Sequence, residues 1–172
     1  PKGTHQMDIY QDGEGRPGYR VLRDGKTVID SSGLGFEFKD QPALMSGMQW
    51  VESSVTSEDE TWEMPWGEQR EVRNHYNEAR IVLEEKEAPG RKLVLEFRAY
   101  EDGVAFRYDF PEQPGTDTLV ITAEHTEFQL TEDYLSWWIP GDWDIYEHLY
   151  NTSRVSEIDA LSKRGHPNLA ST

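Results

Sequence analysis

The sequence has no cysteine, so disulfide staples and thiolate metal sites are excluded and the fold rests on packing and hydrogen bonds. That absence does not by itself assign a compartment. Basic residues are scarce: 17 Lys and Arg stand against 33 Asp and Glu, for a formal net charge of -16. Nucleic acid requires a basic footprint and is excluded as a partner. Anionic membrane surfaces are excluded on the same ground. No apolar run is long enough to cross a bilayer, so membrane insertion is not expected. No signal peptide opens the chain; PKGTHQMDIY is already strand-like, and a trimmed leader or a fragment boundary is the expected reason. Serine nucleophile elbows, phosphate loops, dinucleotide fingerprints and paired zinc histidines are all missing. So are internal repeats, low-complexity segments and any sustained helical period.

Aromatic residues and turn signals are abundant. Six Trp, eight Tyr and six Phe supply bulk for a core or for stacking on sugars. The organising stretch is residues 92–110, KLVLEFRAYEDGVAFRYDF. Leu93, Leu95, Phe97 and Ala99 share one face of its first arm, and Val104, Phe106, Tyr108 and Phe110 one face of its second. Glu101-Asp102-Gly103 closes the pair as a hairpin. Leu95, Phe97, Phe106 and Tyr108 are expected to be largely buried. Further strands are predicted over residues 6–11, 17–23, 27–30, 35–39, 48–56, 80–87, 118–122 and 126–130, with Asp24-Gly25 turning a second hairpin. Residues 61–69 contain Pro65 and Gly67 and read as a loop, and residues 71–78 are polar with no clear period. Short strands separated by turn signals predict an all-β, antiparallel sandwich or barrel.

Three groups could carry chemistry. Asp142, Asp144 and Glu147 are oxygen ligands of the kind calcium prefers, and a helical turn over residues 144–150 would place Asp144 and Glu147 on one face. In a chain with 33 acidic residues such clusters also arise by chance. Trp62, Trp66, Trp137, Trp138 and Trp143 could stack on sugar rings, although each alone reads first as a core or interface residue. His75, within Arg73-Asn74-His75-Tyr76-Asn77-Glu78, could do acid–base work, but the segment reads rather as a hydrogen-bonded loop. No pair of glycosidic carboxyls can be chosen from so many acids by spacing.

TWEMPWGEQREVRNHYNE, FRAYEDGVAFRYDFP and SWWIPGDWDIYEHLYNTSRVSEIDAL, in that order, resemble the N-terminal domain of glycoside hydrolase family 97. The likeness runs from about Tyr19 onward. It implies an antiparallel β-supersandwich, galactose mutarotase-like, with residues 1–172 forming a single N-terminal β-sandwich domain of a larger enzyme. It further implies that the sandwich continues past Thr172. The family joins this domain to a catalytic (β/α)₈ barrel and a small C-terminal β domain. Its members are largely bacterial, often periplasmic, and hydrolyse α-glycosidic bonds as α-glucosidases or α-galactosidases. They hold calcium in the active site. By this resemblance Glu147 is the calcium ligand lent by the N-terminal domain, and Trp138, Asp142, Asp144 and Tyr146 are substrate-pocket residues. The general acid and the base or nucleophile belong to the barrel, so no catalytic residue is assigned here and the chain alone is expected to be inactive. The implied partners are an oligosaccharide or α-glycoside and the barrel, in the periplasm or outside the cell. Two other readings stay open: a free-standing carbohydrate-binding module, and a scaffold that packs on a catalytic partner without touching substrate.

Overall fold

The computed structural model describes residues 1–114, 118–141 and 147–159. The chain divides into two compact units, Pro1–Gln129 and Leu130–Thr172. The first unit opens with an antiparallel sheet of β1 (His5–Gln11), β2 (Pro17–Arg23) and β3 (Lys26–Gly33), in that order. The turn between β2 and β3 places Asp24 at φ 49 and Gly25 at φ 76. Two successive positive φ values give the primed twist that suits a tight hairpin, which is why Asp-Gly was legible there. β4 (Phe36–Phe38) pairs with β9 (Ile121–Glu124). The largest sheet is an antiparallel meander of β5 (Met48–Glu63), β6 (Glu71–Glu85), β7 (Lys92–Ala99) and β8 (Val104–Asp109).

Register fixes the buried face of that meander. Leu83 opposes Leu93, Ile81 opposes Leu95 and Ala79 opposes Phe97. Across the next ladder Leu95 meets Tyr108 and Phe97 meets Phe106. These side chains form one core with Tyr19 and Val21 of β2, Phe36 and Phe38 of β4, Leu34, Leu44 and Met48. The Phe36 ring meets Tyr108 edge-on at 4.6 Å, and the Tyr19 ring lies 5.2 Å from Phe106. Tyr19 is buried because its hydroxyl has a partner: it donates to the Glu127 carbonyl at 2.8 Å. Burial pushes that hydroxyl's pKa up. Ser32, fully buried, donates to the Asp30 carbonyl and accepts the Gln129 N–H.

The hairpin of residues 92–110 is as expected, but its two arms are buried unequally. Leu95 and Phe97 are buried, whereas Phe106 and Tyr108 are only half-buried. β7 has a neighbour on each side; β8 ends the sheet and has one. Burial pushes the Tyr108 pKa up to about 12, against the opposing effect of its 2.6 Å hydroxyl bond to Thr126. Tyr108→Phe is expected to lower stability by about 0.5–1.5 kcal/mol in urea denaturation. The loss stays small because Thr126 keeps its bond to Glu124.

Two sequence expectations need correction. Residues 126–130 do not form a regular strand; residues 127 and 129 instead bond singly to Gly33, Ser32 and Asp30. More important, residues 61–63 and 71–78 are neither loop nor irregular segment. They complete β5 and β6 as one long hairpin, paired from Met48↔Glu85 to Glu63↔Glu71. Only residues 64–70 turn. β7 supports β6 as far as Asn77↔Ala99, and beyond that the two strands stand alone. Period-two hydrophobicity requires one buried face, and the β5 half of this arm has none.

Side-chain links take the place of a third strand along the arm. Arg73 grips Asp59 through two hydrogen bonds of 2.7 Å, Asn74 donates to Glu60 at 2.8 Å, and Ser57 donates to Asn77 at 2.6 Å. The Arg73 guanidinium holds the Asp59 carboxyl below its ordinary range. On the face that carries the Asn74–Glu60 link, opposite the Arg73–Asp59 and Ser57–Asn77 links, Arg98 pairs with Glu78 at 2.6 Å and lies 4.1 Å from the centre of the Tyr76 ring. Glu96 pairs with Arg107 and Arg80 beside it.

The bend between β6 and β7 closes on a buried ion pair. Arg91 is 4% exposed. Its Nη2 and Nε donate to the Glu85 carboxylate at 2.5 and 2.8 Å, and its backbone N–H donates there at 2.9 Å. Nη1 reaches Gln41 and Nη2 the Pro42 carbonyl, tying in the segment before β5. The guanidinium also lies 5.5 Å from the Phe38 ring centre.

Candidate functional site

The second unit carries the sequence-predicted site. β10 (Leu135–Trp138) and β11 (Asn151–Arg154) form an antiparallel hairpin, with Trp138 opposite Asn151 and Leu135 opposite Arg154. A 3₁₀ turn, Val155–Glu157, follows directly. Its start is held from two sides. Asp133 accepts the Ser156 N–H at 3.0 Å and the Ser156 hydroxyl at 2.7 Å, and these bonds draw its pKa down. Glu157 accepts the Arg154 N–H at 2.9 Å, and Arg154 donates to the Asp133 carbonyl at 2.8 Å. Acceptors at a helical N-terminus satisfy N–H groups that have no partner within the turn.

Trp138 is fixed by this hairpin. Its indole N–H donates to the Ser153 hydroxyl at 3.0 Å, which in turn donates to the Arg154 carbonyl at 2.9 Å. Trp137, one residue back on the opposite face, is 65% exposed. Glu147 lies in the long connection between the strands and is exposed. Residues 147–150 are not helical, so the helical turn expected over residues 144–150 is absent from the part that is described. Asp142, Trp143, Asp144 and Tyr146 fall outside the described residues. In sequence, an exposed carboxylate thus falls between the two strands of a hairpin that bears one anchored and one open indole. Among the described residues no group of three or more His, Asp or Glu could hold a metal ion. Glu147 can act as a single oxygen ligand, and a hard cation needs several more.

The other two candidates resolve differently. Trp66, in the β5–β6 turn, is 82% exposed, and Trp62 beside it 44%. His75 sits on β6 rather than in a loop. Its Nδ1 is buried with no hydrogen-bond partner among the described residues, and the Asp59 carboxylate opposite is taken by Arg73. His75 borders a cavity of about 270 Å³ with Arg73, Tyr100, Glu101 and Asp102. No orienting carboxylate makes it a base there. Sequence reasoning missed the Arg91–Glu85 pair, whose only signal was two opposite charges flanking Ala88-Pro89-Gly90.

Antiparallel sheets, with nothing helical beyond one 3₁₀ turn among the described residues, define an all-β class of protein. The chain belongs to the glycosyl-hydrolase 97 N-terminal family, whose model matches residues 1–172. It is similar to a glycoside hydrolase family 97 enzyme from Pseudoalteromonas sp. strain K8, solved in complex with panose and with acarbose. Identity is 34% and the TM-score 0.81, over 89% of this chain and 23% of that one. It is also similar to a beta-arabinopyranosidase at 26% identity and a TM-score of 0.76, covering 88% of this chain and 25% of that one. The chain thus spans about a quarter of the length of these relatives.

Proposed function

We propose that this chain is the N-terminal domain of a glycoside hydrolase that cleaves α-glycosidic bonds, as an α-glucosidase or α-galactosidase. The observation that carries the reading is the family match over residues 1–172, joined to the fold likeness at 34% identity. The panose and acarbose complexes of the Pseudoalteromonas enzyme support an oligosaccharide substrate. In this reading the chain shapes one side of a pocket completed by a catalytic barrel elsewhere in the polypeptide. Trp138, Asp142, Asp144 and Tyr146 line that side. Glu147 supplies one calcium ligand, and its exposure suits a carboxylate whose fellow ligands come from another domain. Bound calcium would supply fixed positive charge beside the scissile bond. The place of action is the periplasm or the cell exterior.

Glycoside cleavage needs two carboxyl groups held across one bond at a set separation. The longer protein is expected to hydrolyse an aryl α-glucoside or an aryl α-galactoside, and the 172-residue chain neither. Turnover by the purified chain, abolished by a point mutation within it, would overturn the reading. A second reading, a carbohydrate-binding module stacking glycans on its indoles, draws on the exposure of Trp66 and Trp137. Calorimetric binding of oligosaccharide by the isolated chain, with a longer protein inert towards both substrates, would favour it.

A further inference from the structure

The four-stranded meander ends on its longest strand, β5. Every residue of β5 after Met48 is exposed, and among the described residues no strand pairs with its outer edge. Such an edge presents a row of backbone donors and acceptors ready for another strand. The core face of the sheet also runs out beyond its cover. Ser53 and Val55 of β5 oppose Ile81 and Ala79 of β6 and share their face. Ile81 is 1% exposed and Val55 76%. β1 packs against β7 and β8. There Met7, Ile9, Val55, Ala79, Phe97 and Ala99 border a groove of about 210 Å³.

We propose that β5 is an interior strand in the longer protein: a strand from the remainder of the same polypeptide pairs with its free edge and covers the Val55 groove. The proposal rests on the reading above only in taking the chain as one segment of a longer polypeptide. Two observations select this occupant. The relatives place about three quarters of their length outside the matched region. And β5 carries no Lys or Arg; of its five acids Asp59, Glu60 and Glu63 are held by Arg73, Asn74 and Arg70, which leaves Glu52 and Glu58 as the acids open to a partner among the described residues. Opposite charges facing across a ladder stabilise it and like charges destabilise it. The pairing strand is therefore basic on the positions that face these acids and apolar where it meets Val55. A second copy of β5 would set acidic row against acidic row between chains that each carry a net charge of -16.

The test is hydrogen exchange on the longer protein, read at the β5 amides that point away from β6, together with its Val55→Glu variant. Those amides are expected to be protected like the amides bonded to β6. Val55→Glu is expected to lower the thermal midpoint of the longer protein by roughly 0.5–1 °C, the shift being small because a chain about four times this length has a correspondingly larger unfolding entropy. Exchange of those amides at the rate of a free loop overturns the proposal, and so does a Val55→Glu midpoint that does not move. Protection that appears only as concentration rises, with dimers in sedimentation, overturns it in favour of self-association. A longer protein that hydrolyses α-glycosides while β5 exchanges freely sinks this proposal alone. One that is inactive with β5 protected sinks the activity and leaves the proposal standing.

Discussion

Replacing Arg91 with alanine is expected to destabilise the chain by about 3–5 kcal/mol, because it strands a carboxylate inside the fold. Glu85 keeps only 13% of its side-chain surface, and its partner Arg91 only 3%. The Gln41 side chain and the Pro42 carbonyl lose their donors in the same step. For a chain of this size that loss approaches the whole stability of many domains. Urea denaturation measures it, and an unchanged midpoint would show that the pair contributes nothing. The double variant Arg91→Met with Glu85→Leu separates charge from shape. Removing both partners leaves no buried unpaired charge, although the residue-91 N–H, Gln41 and the Pro42 carbonyl each lose a bond, and the double variant is expected to be more stable than Arg91→Ala alone. The pair also sets an acid limit. Arg91 holds the Glu85 carboxyl below its ordinary value of 4.5, by hydrogen bonding first and then by charge, against the opposing cost of burial. A carboxyl whose folded pKa is depressed contributes stability above the unfolded value and loses it as pH falls through the folded one. The wild-type chain should therefore lose stability as pH falls below about 4.5, and Arg91→Ala should lose less over the same interval.

The second large effect concerns Glu147 in the longer protein. Glu147→Gln keeps the shape of the side chain and removes its charge. If Glu147 ligates calcium, affinity for the ion should fall at least as far as the roughly 10–100-fold typical of losing an outer-shell partner. Turnover should fall with it and recover in part at high calcium. Because Glu147 is exposed, the melting of the 172-residue chain should not change. Wild-type calcium affinity and turnover in the variant would dismiss Glu147 and direct attention to Asp142 and Asp144.

Much of this molecule was legible wherever burial is one-sided. The strand of residues 17–23 is legible to the residue, and the hairpin of residues 92–110 nearly so, because Leu95, Phe97, Phe106 and Tyr108 alternate with Glu96, Arg98, Arg107 and Asp109; Val94, buried on the opposite face, departs from that pattern. The Asp24-Gly25 turn was legible from the backbone demand alone. The β5–β6 arm was hidden, since Glu58, Asp59, Glu60 and Thr61 are exposed whichever way they point. Phe106 and Tyr108 looked as buried as Leu95 because alternation reports a face and is silent about whether a strand is central or peripheral. The acidic residue at Glu147 drew attention through its family resemblance, since one carboxylate among 33 carries no signal of its own.

The Tyr19 hydroxyl and the buried Ser32 find their partners in residues 127 and 129, at sequence separations of 108 and 97. On the ribosome that distance becomes a delay. At about 5–20 residues per second, some 5–20 s pass between the emergence of the first sheet and that of the segment that closes over it. During this interval the meander can assemble by itself, since each of its strands pairs only with its neighbours in sequence. The opening three strands meanwhile expose a rim whose finishing piece has not been translated. Slowing elongation between residues 34 and 127 would lengthen that exposure, so nascent-chain aggregation should respond to codon choice there more than in the stretch before it.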